Sequence, residues 1–145
     1  MRLALLLSFT FLFASHYASA QWQAIESPAG AEIRMFEQSG TRTFAATFTG
    51  LYYSDDEGNQ WTNAFSGEYE RGFVNVIQTA GPVVICRIRS LDTGDYHIFM
   101  SENNGDDWSD FPVPPSAGNN YSSLFFNGQI IIYQVYDVLF VSTDL

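Results

Sequence analysis

An eight-residue frame occurs twice in this chain of 145 residues, as Ser54-Asp55-Asp56-Glu57-Gly58-Asn59-Gln60-Trp61 and as Ser101-Glu102-Asn103-Asn104-Gly105-Asp106-Asp107-Trp108. Its pattern is Ser-x-Asp/Asn-x-Gly-x-x-Trp, and the two serines lie 47 positions apart. A third start, Ser142-Thr143-Asp144, follows 41 positions later. At the other end, Trp22-Gln23-Ala24-Ile25 matches the residues that begin at Trp61 and at Trp108. Recurrence at such a spacing marks a repeat architecture, whose units cannot bury an apolar face alone and stack on their neighbours.

Each frame follows the same run of short strand patterns. The first unit predicts strands over Ile33–Gln38, Thr43–Phe48 and Leu51–Ser54, with a fourth starting at Trp61. The second predicts Phe73–Gln78, Val83–Ser90, Tyr96–Ser101 and a strand from Trp108; the third predicts Ser122–Phe126, Gln129–Val135 and Val138–Ser142. Asn127-Gly128 between apolar runs predicts a two-residue type I′ hairpin with both residues at positive φ. Four-stranded antiparallel units at roughly 40 to 50 residues are the sequence pattern of propeller blades. The expected fold class is therefore all-β, a β-propeller with about three blades present.

The frame has a physical reading of its own. A Ser hydroxyl and an Asp or Asn oxygen two residues on accept hydrogen bonds from turn amides and close the loop between third and fourth strands. Gly58 and Gly105 take a backbone conformation that a Cβ penalises. Trp61 and Trp108 bury ring area beneath the loop, so Trp61→Ala is expected to cost about 3–5 kcal/mol as a core truncation.

Residues 1–20 read as a cleaved export signal: Arg2, an apolar run from Leu3 to Ala14, and Ala18-Ser19-Ala20 before Gln21. The run is shorter than the roughly 20 apolar residues that span a bilayer, and no second run of that length follows. The expected location is secreted, periplasmic or cell surface. Beyond Ala20, five Arg and no Lys face sixteen acids, a net charge of -11. Such a chain cannot cluster the cations that phosphate backbones or anionic lipid require, so nucleic acid is not expected as a partner. Cys86 is the single cysteine, so no internal disulfide forms; alternation places it with Val84 and Ile88 on one buried strand face.

The frame resembles the Asp-box, or BNR repeat, of sialidase-like and sortilin-like β-propellers and of exported bacterial repeat proteins. The resemblance covers essentially the whole chain after residue 20, with structural box positions at Ser54, Asp56, Gly58, Trp61, Ser101, Asn103, Gly105, Trp108, Ser142 and Asp144. It implies a fourth strand of a closing blade at 22–25, blades at 33–65 and 73–111, and an incomplete blade at 122–145. Propellers typically need four to eight blades to close. Three blades imply further blades beyond Leu145 or completion by a second copy of the chain. In this family the box is a structural turn, away from the ligand-binding face.

The sialidase branch implies three carboxylate-binding arginines, a Tyr/Glu nucleophile pair, an Asp acid and a Phe/Tyr-Arg-Ile-Pro motif. The strings nearest that motif, Glu32-Ile33-Arg34-Met35 and Cys86-Arg87-Ile88-Arg89, lack the aromatic before Arg and the Pro after Ile. Arg34, Arg71, Arg87 and Arg89 are the available carboxylate forks and Tyr69-Glu70 the available pair. One His, His97, remains after residue 20, and neither Asp55-Asp56-Glu57 nor Asp92-Thr93-Gly94-Asp95 has EF-hand spacing. No metal or cofactor is expected.

The propeller resemblance implies that a ligand meets the rim opposite the boxes. The loops there, Glu26–Glu32, Ser66–Gly72 and Pro112–Tyr121, offer Glu32, Arg34, Glu68, Tyr69, Glu70, Arg71 and Tyr121 as ligand-binding candidates, with Glu32/Arg34 and Glu68, Glu70/Arg71 as acid–base pairs. The expected function is an exported non-catalytic module that binds carbohydrate or an extracellular protein, or serves as a scaffold. The alternative is a glycoside hydrolase of sialidase type with most catalytic residues outside this chain.

Overall fold

A computed structural model describes residues 22–28, 31–112 and 123–144. The expected leader and the candidate Tyr121 lie outside the described residues. Among the described residues, eleven strands form three antiparallel sheets. The first sheet runs β1 (Ile33–Ser39), β2 (Arg42–Thr47), β3 (Leu51–Ser54) and β4 (Thr62–Asn63) in sequence order. The second repeats the meander with β5 (Gly72–Ala80), β6 (Val83–Ser90), β7 (Tyr96–Ser101) and β8 (Ser109–Phe111). The third contains β9 (Ser123–Phe126), β10 (Ile131–Val135) and β11 (Val138–Ser142), with β10 central. Among the described residues no helix is long and apolar enough to cross a membrane.

The sheets stack face to face because the middle one is apolar on both sides. Val84, Cys86 and Ile88 of β6 join Val74 and Ile77 against Phe44, Ala46 and Leu51 of the first sheet. From the opposite face of β6, Ile85 joins Val76 and Ile98 against Leu124, Phe126, Ile131 and Tyr133 of the third. Strands buried on both faces read as continuous apolar runs, as Val83–Cys86 does before Arg87. Inter-sheet hydrogen bonds fix the stacking: Ser39 Oγ donates to Gly81 O at 2.8 Å, and Phe126 N donates to Gln78 Oε1 at 2.6 Å.

Several boundaries depart from the sequence expectation. The fourth strands begin one residue after each tryptophan, because the indoles turn under the frame loops instead of joining the ladder. Thr47 ends β2 before Phe48, since its Oγ1 accepts from Thr49 N and Gly50 N, both at 3.0 Å. The Asn127-Gly128 turn is not type I′: only Gly128 has positive φ, 91°. Asn127 Oδ1 instead accepts from Gln129 N and Ile130 N at 3.0 Å, lengthening the loop and delaying β10 to Ile131. Residues 22–27 carry no ladder pairing, and Trp22 is 95% exposed, so no fourth strand of a closing unit forms there within one chain.

Candidate ligand site and the frame loops

The two frames close by the same bonds. Ser54 Oγ accepts from Gly58 N at 2.8 Å and from Asp56 N at 3.3 Å, and donates to Asp56 Oδ1 at 2.8 Å; Asp56 Oδ1 also accepts from Gln60 N at 2.8 Å. Ser101 accepts from Gly105 N and Asn103 N at 2.8 and 3.3 Å and donates to Asn103 Oδ1 at 2.9 Å; that oxygen accepts from Asp107 N at 2.9 Å. Asn103 thus replaces Asp with the acceptor kept, and its Nδ2 donates to Asp107 Oδ2 at 3.0 Å. At the third start, Ser142 Oγ lies 3.0 Å from Asp144 Oδ1. The Gln60 amide, then the Ser54 hydroxyl, hold the Asp56 carboxyl below its ordinary value.

Beyond the glycines, Glu57 (φ 61°) and Asn104 (φ 58°) are left-handed. Sequence reading missed this second residue of each turn. Gly105 has φ 84°, and a Cβ there would stand 2.5 Å from Phe44 Cζ, so the glycine is demanded by packing as well as by backbone. Trp108 explains that closeness: its ring lies 6.2 Å from Phe44 edge-on and 5.0 Å from Phe65, filling the space between first and second sheets. Trp61 instead faces the outer side of the first sheet, 6.3 Å from the Phe36 ring and beside Ile25.

Both frame loops lie at the end of the stack that carries the Gly40 and Gly81 turns. The opposite end carries the other connections: Gly72 N donates to Thr49 O at 3.3 Å, and Leu91 N to Arg71 O at 3.1 Å. Arg34 is the unpaired residue of a β-bulge in β1, between Ile33 and Met35. Bulges re-aim a side chain. Its guanidinium lies 4.9 Å from the Phe48 ring centroid and 4.8 Å from that of Phe73. Those rings stack at 5.3 Å and 13°, and Phe48 remains 48% exposed.

The other candidates do not join this group. Tyr69 lies in the Gly67–Tyr69 3-10 turn, 5.0 Å from the His97 ring and 4.9 Å from Phe99. Burial first, then the Glu68, Asp110 and Asp95 carboxylates, push its hydroxyl pKa up. Glu68 accepts from Thr93 Oγ1 at 3.3 Å, and Glu70 is engaged through its carbonyl, which accepts from Asn63 Nδ2 at 2.7 Å. The expected acid–base pairs therefore do not form: among the described residues neither Glu32 with Arg34 nor Glu68 or Glu70 with Arg71 makes a salt bridge. Arg34 meets two rings instead of a carboxylate. Arg87 is wholly buried with its guanidinium 3.7 Å from the Tyr96 ring, which removes it from any exposed rim.

Phe48 and Phe73 were missed because aromatics beside strand ends read as core; the available signal was their position next to the Gly50 and Gly72 turns. His97 Nδ1 lies 3.2 Å from Asp110 Oδ1, a cross-strand pair that also went unread. Among the described residues no group of three or more His, Cys, Asp or Glu converges as a metal site would require. Comparison of the chain with protein-family models, curated proteins and solved structures gives no match.

Proposed function

We propose that this chain is an exported, non-catalytic module of Asp-box β-propeller type whose loop end binds carbohydrate. The observation that carries the reading is Arg34, lying on the stacked Phe48–Phe73 pair at that end with no carboxylate partner among the described residues. An exposed aromatic face offers CH–π contact to a sugar ring, and an uncommitted guanidinium beside it offers paired donors to hydroxyl or carboxylate oxygens. The identical closure of two frame loops supports the Asp-box reading, and face-to-face four-stranded meanders support the propeller. Export rests on the leader pattern in residues 1–20.

The hydrolase reading is weaker. A Tyr nucleophile needs a lowered pKa or an adjacent base, and Tyr69 is shifted the other way and packed on His97 and Phe99. A glycan array followed by calorimetric titration tests the proposal. Arg34→Ala and Phe48→Ala should each weaken a bound glycan about tenfold or more, as losing one charge-assisted or stacking contact implies. No glycan hit, or a hit indifferent to both substitutions, would sink it. Turnover of a fluorogenic sialoside that Arg34→Ala or Arg71→Ala abolishes would replace it with the hydrolase.

A further inference from the structure

We infer that Asn127-Gly128, between β9 and β10, is a self-modification site: the Asn127 side chain cyclises onto the Gly128 amide and opens to isoaspartate or aspartate. The chain has two Asn-Gly pairs, Asn104-Gly105 and Asn127-Gly128. This dipeptide hinders the reaction least, because glycine presents a backbone nitrogen with no side chain beside it. The two pairs are equivalent as dipeptides, and tertiary structure separates them.

At Asn104-Gly105 both reacting groups are committed. Gly105 N donates to Ser101 Oγ at 2.8 Å, and Asn104 Oδ1 accepts from Ser39 Oγ of the first sheet at 2.9 Å. Asn104 N donates to Pro82 O at 2.8 Å, and the Asn104 carbonyl accepts from Arg42 Nη1 at 3.2 Å. Gly105 itself is buried against the Phe44 ring. Ring closure there requires the frame loop to open.

At Asn127-Gly128 the arrangement is reversed. Asn127 is exposed, and Gly128 N donates to no group among the described residues. Asn127 Oδ1 accepts from two backbone amides, Gln129 N and Ile130 N, both at 3.0 Å. These donors draw charge from Cγ, and they already face the oxygen that turns negative when a nucleophile adds there. Fixed N–H donors aimed at a developing oxyanion are the main electrostatic device of acyl-transfer sites. The turn that delays β10 thus holds an activated carbonyl beside an uncommitted nitrogen.

The step balances with water alone. Water acting as base takes the Gly128 N–H proton, the nitrogen lone pair adds to Asn127 Cγ, and the Cγ–Nδ2 bond breaks as ammonia leaves with a proton from water. A second water opens the resulting succinimide. Attack at Cγ gives aspartate, and attack at the main-chain carbonyl gives isoaspartate. The isoaspartate product carries the main chain through Cγ, lengthening the turn, and adds a negative charge to a chain already at -10. Gly128 sits close to the second sheet, where a Cβ would lie 2.9 Å from Ala80 Cβ, and Phe126 N beside it bonds Gln78. Modification therefore loosens the third sheet from the second at this turn. The inference is independent of ligand binding at Arg34.

The test is incubation of the purified chain in mildly alkaline heavy-oxygen water, followed by peptide mapping that separates the two isomers. Both isomers should appear at 127 with heavy oxygen incorporated, about tenfold or more faster than at 104, a barrier difference of about 1.4 kcal/mol. In denaturant the two rates should converge, with 104 accelerated and 127 no faster than in the native protein. Gln129→Pro deletes one donor at an exposed loop position and should slow reaction at 127 about tenfold or more, with the rate at 104 as internal control for folding. Should that variant unfold, seen as acceleration at 104, the wild-type comparison decides alone. Equal native rates at the two positions, faster reaction at 127 in denaturant, aspartate without isoaspartate, or indifference to Gln129→Pro in a folded chain would each overturn the inference.

Discussion

The Arg42 guanidinium donates to Asp106 Oδ1 at 2.8 Å, so a strand of the first sheet holds the frame loop of the second. The same side chain grips Asp55 of its own sheet's frame loop with two bonds, 2.8 and 3.1 Å, and lies 4.1 Å over the Tyr53 ring. One residue thus clamps two loops whose Ser–Asp/Asn–Gly closing bonds are local, while Asn104 of the second loop also donates to Pro82 O and accepts from Ser39 Oγ.

That clamp makes stability acid-sensitive. Arg42 holds the Asp55 carboxyl below its ordinary 3.8, and the loop amides do the same for Asp56. A depressed folded-state pKa stabilises above the unfolded value, and the contribution disappears as pH falls through the folded one. Urea midpoints should therefore fall between pH 5 and pH 3. Arg42→Gln should flatten that fall and cost about 0.2–1 kcal/mol at pH 7 for the exposed Asp55 partner, with loss of the Tyr53 contact added. An unchanged pH profile in the variant would contradict the clamp.

The two frame tryptophans should differ. Trp108 packs between two sheets, so Trp108→Ala is expected to cost about 3–5 kcal/mol. Trp61 meets only the outer face and the leading segment, so Trp61→Ala should fall nearer 2 kcal/mol, roughly the lower bound for core truncations and below the sequence expectation. Neither indole N–H has a hydrogen-bond partner among the described residues, so Trp108→Phe should lose packing alone, about 1–2 kcal/mol. Equal costs for the two alanine variants in chemical denaturation would refute this ordering.

The frame glycines separate in the same sense. At Gly105 a Cβ meets the buried Phe44 ring at 2.5 Å, whereas at Gly58 it meets the end of the Ile25 side chain at 2.8 Å. Both carry positive φ, which alone costs about 1–3 kcal/mol for a substituted residue. Gly105→Ala should be the more destabilising by about 1 kcal/mol or more, since a packed aromatic yields less than a flexible chain end. Thermal unfolding of the pair checks it.

Asn103 is the better residue in the second frame. Asn103→Asp keeps the acceptor for Ser101 and Asp107 N but replaces the Nδ2 donor with an oxygen facing Asp107 Oδ2 at 3.0 Å. The variant should be less stable at neutral pH by up to about 1 kcal/mol, as expected for like charges at an exposed site. Adding Asp107→Asn should recover the loss, and additive single effects in a double-mutant cycle would rule the repulsion out.

Cys86 is wholly buried, and burial pushes its thiol far above the ordinary range. An aromatic disulfide reagent should leave it unmodified in the native protein and label it once denaturant unfolds the sheets. Rapid native labelling would show that the first and second sheets open.

What could be read from residue order is what residue order closes. Within each frame the Ser, Asp/Asn and Gly groups bond partners no more than four residues away, so the loops were legible from spacing alone. Strand ends such as Leu51–Ser54 and Tyr96–Ser101 followed from alternation between those loops. The failures lie where side chains compete with the ladder, as Thr47 and Asn127 do by accepting turn amides.

The chain by itself determined three meandering antiparallel sheets, their frame loops and the double-faced middle strand, because turn chemistry and period-two patterning act over a few residues. Tertiary structure decided which groups meet across sheets: Arg42 with Asp106, 64 residues apart; Trp108 with Phe44; and Arg34 with Phe73 rather than Glu32. Those meetings depend on the stagger of stacked sheets and on one bulge at Arg34, and neither is encoded in the local spacing of residues.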